Sequence, residues 1–243
     1  KLSTPDSAYN HCEDISFAPL LLRLPIGGIV RLLAAVLSER RILLAGSDLT
    51  VVSGAVHAIE AMVYPFRWHH VYQPLLPPSL IDYLTAPMPF IMGIHSSMMP
   101  QVRKMPTDEV VVVDMDTGAS GQVEDDASLL PRGVSITLEK ELHEAMSTNR
   151  MYSLETNKQI GGAFRRFFLA IFGGYEKFLR NDYGEKIGAL QAEQRWFDYD
   201  GLAKSQPSRN LTRFVQNCRH TQMFEMFACE RLLLASKPDH HVC

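Results

Sequence analysis

The segment that decides the fold is Tyr64–Ser97, with the sequence YPFRWHHVYQPLLPPSLIDYLTAPMPFIMGIHSS. Tyr64 precedes a proline, which disfavours the α conformation, so a preceding helix is expected to end there. His70–Gln73 can run extended, and the prolines that follow favour entry into a short helix over Pro78–Leu84. Phe90–Ile94 is a short apolar run that predicts a buried strand. The segment therefore predicts the order helix, strand, helix, strand.

The residues around this segment continue the alternation of helix and strand. Apolar residues recur at helical spacing from Ile26 to Leu37, and Arg41–Ala45 predicts a buried strand. Ser47 and Asp48 are good N-cap residues for a further helix, and Glu109–Asp114 supplies another β-branched strand. Alternating strands and helices favour parallel pairing, so residues 15–118 predict an α/β module with a mostly parallel, Rossmann-like sheet and flanking helices.

The remainder of the chain predicts a different organisation. Residues 119–136 are rich in Gly, Ser and acidic side chains and predict a loop. Residues 137–235 predict an all-helical module, in which a row of phenylalanines and other apolar residues falls on one helix face. We therefore expect a central α/β module, a connecting loop and a downstream helical module.

Composition disfavours several classes of function, although a local basic patch stays possible. The 243 residues are 46% hydrophobic, and the net charge of −3 gives no bulk attraction to nucleic acid or to an anionic membrane surface. Four cysteines show neither a CxxC pair nor zinc spacing, which is typical of reduced thiols in a cytosolic protein. No apolar run is long enough for a transmembrane segment. Because the chain begins at Lys1 rather than Met, we expect a fragment or a processed chain.

The residues with catalytic potential do not form an enzyme signature. The sequence lacks the phosphate-binding, dinucleotide-binding, metalloprotease and serine-hydrolase motifs. His69 and His70 are adjacent, so on a strand they point to opposite faces and chelate one ion poorly. His95–Ser97 could suggest nucleophilic catalysis, but no carboxylate lies nearby in the sequence and no oxyanion loop is evident. Asp114 and Asp116 could bind a cation or act as general acid and base, but a solvated strand end with turn capping fits them better. We therefore predict no catalytic residue, no metal site and no cofactor.

The central segment resembles the central module of DENN-domain proteins. The family pattern is met by Tyr64, Pro65, Phe66, Trp68, His70, Tyr72, Pro74, Leu76, Pro77, Pro87, Pro89, Phe90 and Gly93. The entry pattern of the same module is met by Glu39, Arg40, Ile42, Leu43, Ser47 and Leu49. A looser similarity to the family's downstream helical module is carried by Ala163, Phe164, Phe167, Phe168, Tyr175, Phe214, Thr221, Met223, Phe224, Phe227 and Arg231. The upstream, longin-like module of the family has no counterpart in this chain.

The resemblance implies a guanine-nucleotide exchange factor for a Rab-type small GTPase, because most members of the family have that activity. Such a protein needs no covalent catalysis, since it acts by binding the switch regions and stabilising the nucleotide-free GTPase. The expected partners are a Rab-type GTPase and a longin-like lobe, supplied by the same protein or by a partner chain. We expect a cytoplasmic protein that is recruited peripherally to membranes.

Topology indicates where such a GTPase would bind. Ligands of open α/β sheets bind at the carboxyl ends of the strands. The predicted strand ends place five residues on the GTPase-facing rim: Ser47, Asp48, Gln73, His95 and Ser96.

Two other functions stay open from the sequence. The chain could be a DENN-fold scaffold, or a GTPase-activating or effector-type partner in a complex, without exchange activity. A hydrolase or nucleotide enzyme on an α/β core is the third hypothesis, and the missing motifs disfavour it.

Overall fold

A computed structural model describes residues 15–121, 129–148, 153–179 and 197–235. The first of these ranges contains α1 (Ala18–Leu21), α2 (Ile26–Leu37), β1 (Arg41–Gly46), α3 (Leu49–Met62), β2 (Val71–Gln73), β3 (Phe90–His95), α4 (Met99–Val102) and β4 (Val111–Asp114). A 3₁₀ helix, Pro78–Thr85, joins β2 to β3, and a shorter one, Ser96–Met98, follows β3. The predicted order of helices and strands is confirmed, with the short helix after β2 wound as 3₁₀ rather than α.

The four strands form one parallel sheet in the order β2-β3-β1-β4. In this register Gly46 lies opposite His95, Ala45 lies opposite Asp114, and Gln73 lies opposite Met92. All four carboxyl ends therefore point to the same edge of the sheet. The predicted fold class, a parallel α/β sheet with flanking helices followed by a helical region, is confirmed.

Alternating side chains give the sheet two different faces. Ile42 and Leu44 of β1 pack into the larger core, under α2 and α3, whereas Leu43 packs on the opposite face. The second face is covered by the 3₁₀ helix Pro78–Thr85 and by the four residues of α4. The long helices thus lie on one side, and short, proline-initiated elements close the other.

The helical region comprises α5 (Arg132–Thr148), α6 (Leu154–Phe172), a 3₁₀ helix (Tyr175–Phe178), α7 (Tyr199–Lys204), α8 (Arg209–Cys218) and α9 (Gln222–Ala235). Helix α5 begins inside the 119–136 segment that the sequence assigns to a loop. Its first turn follows Pro131 and is mostly polar, so no apolar periodicity marks its start. Helices α8 and α9 follow Pro207 and meet at a turn after Cys218.

Phe66, from the fold-deciding segment, joins the sheet to the helical region. Its ring centroid lies 5.1 Å from that of Phe168, 5.3 Å from Phe172, 5.8 Å from Phe224 and 4.6 Å from Phe227. The buried residues of α2, α3, α6, α8 and α9 belong to the same apolar cluster. The α/β part and the helical part therefore share one core, and the division of the chain into two modules stays a prediction.

A half-buried carboxylate makes a second connection between the two parts. Glu39, in the turn before β1, has a φ of +49°, in the left-handed region that non-glycine residues rarely adopt. Its oxygens accept hydrogen bonds from the backbone N–H groups of Met223 at 2.7 Å and Gln222 at 3.1 Å, which begin α9. His70 Nε2 lies 3.1 Å from the same carboxylate without hydrogen-bond geometry, so that contact becomes an ion pair only when the imidazole is protonated. Glu39 thus satisfies free N–H groups of a helix that lies far away in the sequence.

Candidate functional site

The carboxyl edge of the sheet forms a rim that carries all five of the sequence-predicted site residues. Ser47 and Asp48 follow β1, and His95 ends the neighbouring strand β3, with Ser96 directly after it. Gln73 ends β2 on the far side of β3, three positions before His95 in the register. Ser47, Asp48 and Gln73 are exposed, whereas His95 and Ser96 are half-buried. Whether these residues contact a partner stays a prediction.

Ser47 is held in place by Asp116, which follows β4. The Ser47 backbone N–H donates to Asp116 Oδ1 at 3.0 Å and to Oδ2 at 2.9 Å, and its hydroxyl donates to Oδ1 at 2.8 Å. These hydrogen bonds lower the pKa of Asp116, with smaller contributions from Arg23 and His95. Asp116 therefore clips the β1–α3 loop to the end of the neighbouring strand.

The turn that presents Asp116 is itself fixed. Asp114 Oδ1 accepts hydrogen bonds from the N–H groups of Asp116 at 2.8 Å and Thr117 at 3.1 Å. Gly118 has a φ of +74°, and a Cβ there would overlap the Arg23 carbonyl oxygen. Asp114 thus caps a turn, as the sequence favours, and Asp116 has the further role of holding Ser47.

Asp48 caps helix α3 and places an apolar residue at the rim. Its Oδ1 accepts from the N–H of Thr50 at 2.8 Å and of Val51 at 3.3 Å, which confirms the predicted N-cap. Leu49, the first residue of α3, has 43% of its surface exposed. The rim thus combines polar loop groups with an accessible aliphatic side chain.

Gln73 is positioned by an unusually close contact between β2 and β3. The Pro74 carbonyl lies against Gly93, where a Cβ would overlap the Pro74 oxygen. The Leu76 N–H then donates to Gly93 O at 2.7 Å, and Gln73 Nε2 donates to Leu75 O at 2.8 Å. Glycine at this position lets the chain turn across β3 immediately after Gln73.

His95 is used as a cap of the turn that follows it. Its Nδ1 accepts from the Ser97 N–H at 3.2 Å and lies 2.7 Å from Ser97 Oγ, as expected for a hydroxyl donor. Within the described ranges, no hydrogen bond joins His95 to a carboxylate, so these residues do not form a nucleophilic triad. The contact orders the Ser96–Met98 turn at the rim.

Two rim residues were not predicted from the sequence. The sequence indicates a strand-end carboxylate or cation ligand at Asp116 but not its bond to Ser47, and it gives no signal for Arg23, whose carbonyl lies against Gly118. The strand-ending DMD run was a usable signal for Asp116, but its contact with Ser47 depends on β1 and β4 being neighbours. No cluster of three or more metal-ligating side chains occurs among the residues whose structure is described. In the same residues, no helix is both long enough and apolar enough to span a bilayer.

Comparison with known proteins identifies the family. The family model of the DENN (AEX-3) domain matches residues 1–118, which include the whole sheet and its rim. The chain belongs to the DENN-domain family. DENN domain-containing protein 2A from human is 33% identical over 234 residues, and DENN domain-containing protein 1A from mouse is 33% identical over 227 residues.

These similarities extend beyond the matched DENN domain into the helical region. The two alignments cover 91% and 93% of this chain, but only 22% and 21% of the human and mouse relatives. DENN domain-containing protein 2B from human is 30% identical, with 91% of this chain covered and 20% of that protein. The chain thus spans about a fifth of the length of these DENN-domain relatives.

Proposed function

We propose that this chain is the central and downstream part of a guanine-nucleotide exchange factor for a Rab-type small GTPase. The observation that supports the proposal is the rim. In a DENN-domain chain, it presents ordered polar loops from β1, β2 and β3 beside the exposed side chain of Leu49. Polar groups with fixed positions and an accessible aliphatic side chain are what a protein-binding surface requires.

Exchange on such a surface is a matter of linked binding equilibria. A protein that binds the nucleotide-free GTPase more tightly weakens nucleotide binding by the same factor. A weakening of about 10³-fold corresponds to about 4 kcal/mol of differential contact energy. A few contacts of about 1–2 kcal/mol each would supply this energy, without any bond being made or broken.

Order within the rim makes these contacts effective. Ser47 donates hydrogen bonds to Asp116, and Asp48 accepts hydrogen bonds as the N-cap of α3. His95 accepts a hydrogen bond from the turn that follows it. Loops that are already ordered lose little entropy when a partner binds. The rim would therefore displace the mobile switch segments of the GTPase rather than adapt to them.

The proposal includes the context of the chain. A longin-like lobe, in the same protein or in a partner chain, would complete the GTPase-binding groove. The whole protein would be cytoplasmic and would be recruited peripherally to the membrane that carries its GTPase. Both statements rest on the family resemblance.

The test is release of fluorescent GDP from a panel of Rab GTPases by the full-length protein. We expect faster release from at least one Rab, and a loss of about tenfold or more in Leu49→Glu. Ile136→Glu is the matched control, because Ile136 is 55% exposed on α5, which carries none of the rim residues, and should leave the rate unchanged.

Unchanged release across the panel, with a well-folded full-length protein, would contradict the proposal. Stable binding to a GTP-loaded Rab without faster GDP release would instead identify a scaffold or a GTPase-activating or effector-type partner.

A further inference from the structure

The exposed side chains of helix α8 are all basic or amide side chains. Its apolar face, formed by Leu211, Phe214, Val215 and Cys218, is buried in the shared core. The opposite face exposes Arg209, Arg213, Gln216 and Asn217, and Lys204 is exposed at the end of the preceding helix α7. We call Lys204, Arg209, Arg213, Gln216 and Asn217 the α8 surface.

The charge of this region is opposite in sign to that of the chain. Residues 201–224 contain Lys204, Arg209, Arg213 and Arg219 but no Asp or Glu, although the whole protein has a net charge of −3. Arg219 lies 3.8 Å from Asp200 and against the Tyr199 ring. Lys204, Arg209 and Arg213 form no ion pair with any described residue, whereas Arg41 and Arg166 pair with Glu109 and Glu141.

The two arginines occupy positions that are unfavourable for the helix itself. Arg209 is the first residue of α8, where the helix dipole favours a carboxylate, and the first turn contains no acidic residue. Arg213 lies one turn further along, so the pair places like charges at i and i+4. Cations that reduce the stability of their own helix, with no compensating partner in the described structure, are typical of a binding surface.

We infer that the α8 surface docks an acidic segment of a partner protein. Arginine forks bind carboxylates in a bidentate manner, and the amides of Gln216 and Asn217 can hydrogen-bond to a peptide backbone. Side chains at i and i+4 of a helix are about 5–6 Å apart. Alternate side chains of an extended peptide, about 6.7 Å apart, match that spacing. The occupant is therefore an extended segment with carboxylates at every second residue.

A membrane surface fits these residues less well. The large hydrophobic side chains exposed elsewhere in the protein, such as Leu49 and Tyr83, have no counterpart among the described residues 197–231. The apolar face of α8 is already used in the core and cannot insert into lipid. Three cations without an ion pair to a described residue are also fewer than the clusters that recruit proteins to anionic lipid. The inference is independent of exchange activity, since it concerns a different surface from the rim.

Binding of a fluorescein-labelled peptide of alternating Glu and Ser residues to the 243-residue protein tests the inference. We expect the peptide to bind with an affinity that falls as salt is added, and the same peptide with Gln in place of Glu to bind at least about tenfold more weakly. Arg209→Gln/Arg213→Gln should weaken binding by about tenfold or more, and Lys204→Gln, outside α8, by a smaller factor. The control Arg132→Gln/Lys158→Gln removes two exposed cations elsewhere and should change binding by less than about twofold.

Thermal unfolding separates a binding role from a structural one. Removing Arg209 and Arg213 should leave the melting temperature unchanged or raise it, because both charges oppose helix formation. Equal binding by the Arg209→Gln/Arg213→Gln variant and the control variant would overturn the inference, as would equal binding of the Glu and Gln peptides. Binding to phosphatidylserine vesicles, without binding to the Glu peptide, would also overturn it in favour of a lipid surface.

Discussion

Replacing Glu39 should destabilise the protein strongly, although this residue lies in a turn. Glu39→Ala removes two charge-assisted hydrogen bonds to the N-terminus of α9, with N···O distances of 2.7 and 3.1 Å. Hydrogen bonds to charged groups contribute about 1.5–3 kcal/mol each, and loss of a helix cap costs about 0.5–2 kcal/mol. The two estimates describe the same two hydrogen bonds, so they are not added together. We expect the free energy of unfolding to fall by about 3 kcal/mol.

The left-handed backbone at Glu39 provides an internal control. Glycine relieves strain of about 1–2 kcal/mol at φ +49°, but makes the unfolded chain more flexible, which costs about 0.4–1 kcal/mol. Glu39→Gly should therefore be about 0.5–1 kcal/mol less destabilising than Glu39→Ala. Glu39→Gln should lie closer to the wild type, because one amide oxygen still accepts a hydrogen bond.

Urea unfolding followed by circular dichroism measures these differences. Asp82→Ala, an exposed carboxylate in the 3₁₀ helix Pro78–Thr85, is the matched control and should stay within about 0.5 kcal/mol of the wild type. A change in Glu39→Ala as small as that in Asp82→Ala would refute the role of the carboxylate. Equal losses in Glu39→Ala and Glu39→Gly would refute the contribution of the backbone conformation.

Three further predictions concern the rim and the core. Gly93→Ala should destabilise the protein by about 1–3 kcal/mol because the new methyl group overlaps the Pro74 carbonyl. Gly133 has open space around it, so Gly133→Ala should raise the free energy of unfolding by about 0.5 kcal/mol in the same urea titration. Asp116→Asn should lower the unfolding midpoint at neutral pH. Because the pKa of Asp116 is lowered in the folded state from 3.8, the difference from the wild type should shrink as the pH falls below about 4; a constant difference down to pH 2 would contradict the hydrogen bonds to Ser47. Phe66→Ala should cost about 3–5 kcal/mol and Phe66→Leu much less, and equal losses would argue against ring packing as the cause.

The sequence predicts elements whose pattern is local. Helix α2 has the predicted bounds Ile26–Leu37, and β1 and β3 each extend one residue beyond the predicted runs. Apolar periodicity and N-cap chemistry act over a few residues, so they can be recognised without knowledge of the fold.

Contacts between distant residues could not be predicted in this way. Ser47 and Asp116 are 69 residues apart in sequence and meet only because β4 lies beside β1. Glu39 and Gln222 are 183 residues apart, and a polar residue in a turn gives no indication of a distant helix end. Strand order and helix docking decide such pairs, and neither follows from local propensity.

The ring of phenylalanines around Phe66 has a consequence for how this architecture can be rearranged. Because one aromatic side chain from the α/β part fills a space lined by α6 and α9, neither part could be exchanged for that of another protein without opening a void. A protein truncated after β4 would expose a large apolar surface to water and should aggregate rather than fold. The two parts should also unfold in a single transition, so a destabilising substitution in α9 should lower the melting temperature of the α/β part as well.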